Sequence, residues 1–267
     1  MNEQILMNPD GDVINGEVGV VCCDLVDIDE LQGFVAPRGS LSILNVDIRS
    51  CRKNFSSLES LLSLCNFSFD IIVFTETWLT KATDFTYHLL GYNKFSVYRD
   101  GRGGGVSAYV TKSLNSVLID QLTIISDSTE ILSLKIYNDN INFKLCAIYH
   151  PPSSHIDSFT EYLSNNILSA IQNSKAVLCG DFNVNLLNPL KLHSIDNFIS
   201  TMLGYNYVSL VNLPTRLSPH NPITKESILD HIWINFNNSN IINSAVINHE
   251  ISDHLPVFCI LKTVATY

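Results

Sequence analysis

Several polar side chains stand where apolar runs of the sequence end. Glu76 follows Ile71–Thr75, and Asp181 follows Ala176–Gly180. Asn183 lies two residues beyond Asp181, so an extended segment aims both side chains to one side. Asn45 and Asp47 share that spacing in the run 41–47, and Tyr149 closes the run 143–149 before Pro151–Pro152. Two acid–imidazole pairs, Asp230–His231 and Asp253–His254, lie near the starts of later runs. Strand ends are where α/β proteins place their sites. This set offers carboxylates for a hard cation, amides for orientation, a phenol and imidazoles. Magnesium takes one or two carboxylates and completes its octahedron with water and phosphate oxygens. Phosphoester hydrolysis needs such a metal, a base beside the attacking water and donors to the phosphate. Taken alone, each of these acids after a strand is more often a turn or N-cap residue. The eight histidines show no tight ligand spacing of the zinc type. Gly103–Gly105 lacks the Gly-Lys-Ser/Thr of a phosphate loop and reads as a tight turn.

The elements that position these residues are mostly strands. Alternating or wholly apolar runs predict strands at 41–47, 71–75, 106–110, 131–137, 143–149, 176–180, 207–211, 229–235, 245–249 and 256–262. Helical spacing predicts helices at 54–66, 158–172 and 194–203, the first two opened by the capping-box patterns Ser56 to Glu59 and Ser158 to Glu161. Interleaved strands and helices, with strands in excess, point to sheets packed on each other with helices outside. The runs 71–75 and 176–180 are expected as central strands of the two sheets. Trp233 alternates with Ile232 and Ile234 and reads as packing.

Composition bounds the rest. At 267 residues, 46% hydrophobic and 16% charged, the chain describes an ordered globular protein. Residues 1–38 hold eight acids against one base, Arg38, and are expected to form an acidic leader with little fixed structure, ahead of one domain over 39–267. From residue 39 there are 18 acids and 15 bases, so the net charge of −10 does not by itself exclude a nucleic-acid partner. Seven scattered cysteines without a CxxC read as reduced thiols. No apolar run has the length of a membrane span, and no signal segment opens the chain. An intracellular protein without a membrane partner is expected.

The ordered set Leu44-Asn45-Val46-Asp47, Glu76-Thr77-Trp78, Gly103-Gly104-Gly105-Val106, Tyr149, Gly180-Asp181-Phe182-Asn183, Leu229-Asp230-His231-Ile232 and Ser252-Asp253-His254 resembles the endonuclease/exonuclease/phosphatase superfamily. It runs from about residue 41 to 262. Arg49-Ser50-Cys51-Arg52-Lys53-Asn54-Phe55, Glu76-Thr77-Trp78-Leu79 and Pro214-Thr215-Arg216 look like the apurinic-type endonuclease module of LINE-like, non-LTR retrotransposons. The resemblance implies an α+β, DNase I-like fold: a four-layered α/β sandwich, two mixed sheets face to face with helices on both outer faces. It implies a magnesium-dependent (or manganese-dependent) phosphodiesterase that nicks target DNA. Glu76 would be the principal metal ligand with Asn45 and Asp47 beside it, and Asp253 would complete the metal side. Asp181, helped by Asn183, would orient and deprotonate water; Tyr149 would contact the scissile phosphate. His254 would donate to phosphate oxygens, held by Asp230, while His231 stays structural. Arg99, Arg102 and Arg216 are candidate DNA-backbone contacts. A monomer acting in the nucleus, with a reverse transcriptase domain or element RNA as further partner, completes the implied picture. Two departures stand out: Asp47 occupies the place of a retroelement asparagine in one of two registers, and His150 follows Tyr149 where relatives often have arginine. Another phosphoesterase of the same fold, acting on RNA, lipid headgroups or inositol phosphates, and an inactive decayed element product are the alternative readings.

Overall fold

Side chains in a strand alternate between faces, and in this chain both faces of most strands are apolar, so each sheet must be covered on both sides. The computed structural model describes residues 23–99, 103–187, 192–216, 226–236 and 240–262. It builds two sheets. The first contains, in spatial order, β1 (Cys23–Val26), β13 (Ile241–Ile247), β14 (Val257–Lys262), β2 (Ser40–Asp47), β3 (Ile71–Thr75), β5 (Val106–Thr111) and β4 (Tyr92–Val97). The second runs β11 (Val208–Ser209), β12 (Asp230–Ile234), β10 (Ala176–Asp181), β9 (Asn142–Tyr149), β8 (Glu130–Tyr137) and β6 (Asn115–Leu118), with β7 (Ile124–Ile125) paired to β8. The pairs β1–β13, β2–β3 and β9–β10 are parallel and the others antiparallel, so both sheets are mixed. β3 and β10 lie inside their sheets, every residue of both buried, as the apolar runs that open them require.

The inner faces meet in one core, where Ile43, Ile71, Val73 and Val257 pack with Leu145, Val177, Cys179 and Ile232. The outer face of the first sheet (Leu44, Val46, Ile72, Phe74) is covered by Phe55, Leu58 and Leu61 of α2 (Cys51–Leu64) and Leu31 of α1 (Ile28–Gly33). The outer face of the second (Ile148, Leu178, Trp233) is covered by Phe159 of α3 (Ile156–Tyr162), the π turn Leu163–Leu168 that follows it, and Ile195, Phe198 and Met202 of α5 (His193–Gly204). Between the π turn and α5 lies the single turn α4 (Ser169–Ile171). The result is the expected four-layered α+β sandwich. The six described cysteines are free thiols, and no described helix is long and apolar enough to cross a membrane.

Three expectations need correction. The first long helix begins at Cys51, a turn and a half before the Ser56–Glu59 box. Its start is held by tertiary bonds, Ser50 N to Glu76 O at 2.7 Å and Cys51 N to Thr77 O at 3.0 Å, so no side-chain cap is required. The second helix likewise begins at Ile156 rather than at Ser158. Lastly, the acidic leader is structured where it is described. Residues 1–22 lie outside the described part, but Cys23–Val26 pairs in parallel with Ser244–Ile247, and Leu31 is buried. Asp27 caps α1 in a box with Glu30. The acids of this segment point to solvent while Cys23 and Leu31 point inward, so two buried positions anchor a stretch whose charge alone suggests disorder.

Candidate active site

Period-two alternation carries the inner face of each sheet from apolar to polar at one pole of the sandwich. Ile43 of β2 is followed on its face by Asn45 and Asp47, Val73 of β3 by Thr75, Ala147 of β9 by Tyr149, and Cys179 of β10 by Asp181. The parallel pairs β2–β3 and β9–β10 end together, and the antiparallel neighbours β12 and β14 start there, bringing Asp230 and His254. The register sets Asp181 between Tyr149 and Asp230, and Asp47 beside Thr75.

Asp47, Asp181 and His254, all buried, offer ligand atoms that lie within 4.8 Å of one another. His254 Nδ1 is 2.7 Å from Asp230 Oδ2, which leaves Nε2 as the ring nitrogen available to another group. Asn183, at φ 48°, donates from its backbone N to Asp181 Oδ1 (3.0 Å) and from Nδ2 to Asp181 Oδ2 (2.6 Å) and the His150 carbonyl (2.9 Å). Thr75 donates its hydroxyl to Asp47 Oδ2 at 3.0 Å, and Ser252 to the Asp47 carbonyl at 2.6 Å. Glu76, at φ 49°, accepts from Tyr149 Oη (3.0 Å) and from Trp78 Nε1 (3.2 Å). Asp253 Oδ2 is engaged by Arg49 Nη1 and, at 2.9 Å, by Arg216 Nη2.

Most of the residues singled out in the sequence therefore share one pole, with differences in detail. Asp253 is turned to two arginines and does not join Asp47, Asp181 and His254. Tyr149 donates to Glu76. Arg99 is not a free backbone contact: it is largely buried, 3.4 Å from Glu130 Oε1 and bonded to the Gly103 carbonyl. Arg102 lies outside the described residues. Arg216 and Arg49 remain partly exposed beside Asp253. His231 accepts from Trp233 Nε1 on Nδ1 and so donates from Nε2 to the Ile228 carbonyl, stacked on Phe182. It is structural. His150 stacks on Phe159 with Nδ1 2.9 Å from the Phe182 carbonyl; burial lowers its pKa, so it supplies no charge to a phosphate. Sequence reasoning missed Arg49, Glu130 and Thr215. The Thr215 hydroxyl accepts the Leu229 and Asp230 amides, both at 3.1 Å, and so holds Asp230 in place. Of these, Arg49 and Thr215 carried a signal, their places in Arg49-Ser50-Cys51-Arg52-Lys53-Asn54-Phe55 and Pro214-Thr215-Arg216, while Glu130 carried none.

The donor set fits a hard divalent cation. Both amide atoms of Asn45 and Oδ1 of Asp47 are buried without a hydrogen-bond partner. Such atoms cost about 1–3 kcal/mol each when left unsatisfied; a cation would satisfy the two oxygens, Asn45 Oδ1 and Asp47 Oδ1, by ligation. Electrostatics point the same way. Burial pushes Asp47 up to about 7, with His254 opposing and Glu76 and Asp230 reinforcing the rise. Burial, then the charges of Asp230 and Asp47, also raise Asp181 well above its ordinary value. For His254 burial disfavours the charged ring, but Asp230, Asp47 and Asp181 outweigh it and lift the pKa to about 10. The carboxylates are thus crowded in a way that a cation relieves.

A pH dependence follows. A carboxyl whose pKa rises from 3.8 to about 7 on folding contributes stability that is whole below 3.8 and gone above 7. An imidazole raised from 6.5 to about 10 contributes stability that is whole below 6.5 and lost through 10. Both act with the same sign, so in EDTA the melting temperature should fall from pH 5 to pH 9. Magnesium should flatten that fall, because ligation takes the deprotonated acids. An EDTA melting curve that rises across this window contradicts the assignment.

The chain has known structural likenesses. The endonuclease domain of TRAS1, a telomere-specific non-LTR retrotransposon, superposes with a TM-score of 0.64 at 15% identity, over 83% of this chain and 98% of that one. An AP endonuclease from Archaeoglobus fulgidus gives 0.64 at 17% identity, over 83% and 99%. A 3'-5' exonuclease from Neisseria meningitidis gives 0.63 at 15%, over 82% and 98%. No curated protein sequence matches. The model of the endonuclease/exonuclease/phosphatase family matches residues 38–254, a span that includes Asn45, Asp47, Glu76, Asp181, Asp230 and His254. The chain belongs to the endonuclease/exonuclease/phosphatase family.

Proposed function

We propose that this protein is a magnesium-dependent DNA endonuclease of the non-LTR retrotransposon type, which nicks target DNA to expose a primer end. The observation that carries the reading is the convergence of Asp47, Asp181 and His254 on one pole, with His254 backed by Asp230. The likeness to the TRAS1 endonuclease domain supports the retroelement class. Asn45, Asp47 and Glu76 would hold the cation, magnesium or in its place manganese, which when bound neutralises charge on the phosphate oxygens. Asp181, fixed by two bonds from Asn183, orients and deprotonates the attacking water. Charged His254 donates to a phosphate oxygen as negative charge grows there. Tyr149 holds Glu76 through its hydroxyl, and Asp253 keeps Arg49 and Arg216 together at the rim, where their exposed parts face a DNA backbone. A monomer acting in the nucleus, with a reverse transcriptase domain or element RNA supplying the next step, accords with this role.

Purified protein should convert supercoiled plasmid to the open circle with magnesium and stop in EDTA, leaving a 3′-hydroxyl that a polymerase extends. Release of phosphate from a 3′-phosphorylated oligonucleotide without plasmid nicking would favour an end-processing phosphatase, a reading supported by likeness to the Neisseria 3' phosphatase. No turnover of either substrate defeats the proposal. Asp47→Asn should lower nicking by on the order of ten- to a hundred-fold, the loss typical of a metal-site partner, and should raise the EDTA melting temperature by removing a buried charge. Undiminished nicking would instead favour the register in which position 47 is the retroelement asparagine, an amide there serving as well as the carboxylate.

A further inference from the structure

The Glu76 loop is held in a conformation its own residues disfavour. Glu76 and Trp78 have φ of 49° and 54°, values that non-glycine residues adopt only when neighbours enforce them. The enforcing neighbour is the turn Gly103–Gly105, with φ of 87°, 69° and 90°. Its carbonyls accept the loop amides, Gly105 O from Thr77 N at 3.1 Å and Gly104 O from Trp78 N at 2.8 Å.

That turn is in turn fastened by one buried acid. Glu130, fully buried at the start of β8, accepts the Gly105 amide on Oε2 at 2.6 Å. Its Oε1 faces Arg99 Nε at 3.4 Å, and Arg99 also donates to the Gly103 carbonyl at 3.3 Å. A Cβ on Gly104 would fall 2.1 Å from Glu130 Oε1, and one on Gly105 2.3 Å from Thr77 Oγ1. Only glycine lets the carboxylate and the loop come this close. Glu130 also pairs across β8–β9 with Tyr149, whose hydroxyl donates to Glu76 Oε1. It therefore reaches Glu76 by two routes, the backbone of the loop and the side chain of Tyr149.

We propose that Glu130, locked to Arg99, is a positioning residue that sets the place of the Glu76 carboxylate and with it the affinity of the site for its cation. The inference rests on the reading of Glu76 as a metal-side carboxylate. Glu130→Gln keeps the size and an acceptor oxygen but removes the charge that Arg99 faces. Manganese binding to metal-stripped protein, followed by loss of the free-ion EPR signal, should weaken about ten-fold. The magnesium concentration for half-maximal nicking should rise by the same factor, with activity recovering at high magnesium. Arg99→Gln opens the same lock from its other partner, should behave alike, and carries the test if Glu130→Gln fails to fold. A folded variant with wild-type manganese affinity and only a lower melting temperature overturns the proposal and leaves Glu130 a packing residue. Wild-type protein that binds manganese without cleaving DNA would refute the nuclease reading alone, since the affinity comparison still decides the role of Glu130. Wild-type protein that binds no manganese overturns both.

Discussion

Asp181→Ala should reduce plasmid nicking by roughly a hundred- to ten-thousand-fold, the range that a positioned general base supplies. Asp181 ends β10 with its carboxylate buried between Asn183, Asp230 and Asp47. Losing it removes both the proton acceptor and the fixed oxygen that aims the water. The fold should survive. Asn183 keeps its bond to the His150 carbonyl, and a carboxylate that burial already penalises is gone. The variant should therefore melt close to the wild type in EDTA. Cleavage that persists at the wild-type rate in this variant would come from a contaminant or a different site, and the mechanism would fall.

The second large effect concerns the residue just before it. Gly180 has φ 145°, and a Cβ there would stand 1.8 Å from the Ile148 carbonyl oxygen and 2.8 Å from its carbon. The obstacle is backbone of the neighbouring strand, paired in register with Gly180, so no rotamer can relieve it. Gly180→Ala must push β9 and β10 apart in the middle of the second sheet. The cost should exceed about 4 kcal/mol, the range reserved for severe core damage, and the melting temperature should drop by roughly 10 °C or more. Gly204→Ala, where no atom lies within 4 Å of the added carbon and no left-handed φ is involved, serves as the matched control. Equal melting of the two variants would show that the strands tolerate separation here.

Much of this site was legible because period-two alternation is local. Residues 41–47, 71–75 and 176–181 reveal in their own sequence which side chains share a face, so Asn45, Asp47 and Asp181 could be placed at strand ends before any contact was known. The pairing of Asp230 with His254 was legible only through the order of motifs. What stayed hidden depends on partners distant in the chain. Glu130 sits in an ordinary Asp-Ser-Thr-Glu stretch, and its importance comes from a glycine turn 25 residues earlier. Arg99 reads as a surface cation until that acid is found. The start of α2 is fixed by carbonyls of the Glu76 loop, a bond that no capping pattern encodes. In residues 23–38 the density of charge concealed a strand whose partner lies more than two hundred residues away.

The order in which strands leave the ribosome differs sharply from their order in the first sheet. β14, the last strand among the described residues, is not at an edge: it fills the slot between β13 and β2, pairing Val257–Lys262 with Ser40–Asn45. The nascent chain must therefore present β2 with an open hydrogen-bonding edge until roughly two hundred further residues have been made. At about 5–20 residues per second, that wait lasts on the order of 10–40 seconds. Throughout it, the Leu41–Val46 segment is an apolar strand edge able to pair with another chain. Nascent protein should accordingly depend on holding chaperones, and ribosome-released chains ending before residue 257 should aggregate although they already contain Asp47, Glu76 and Asp181.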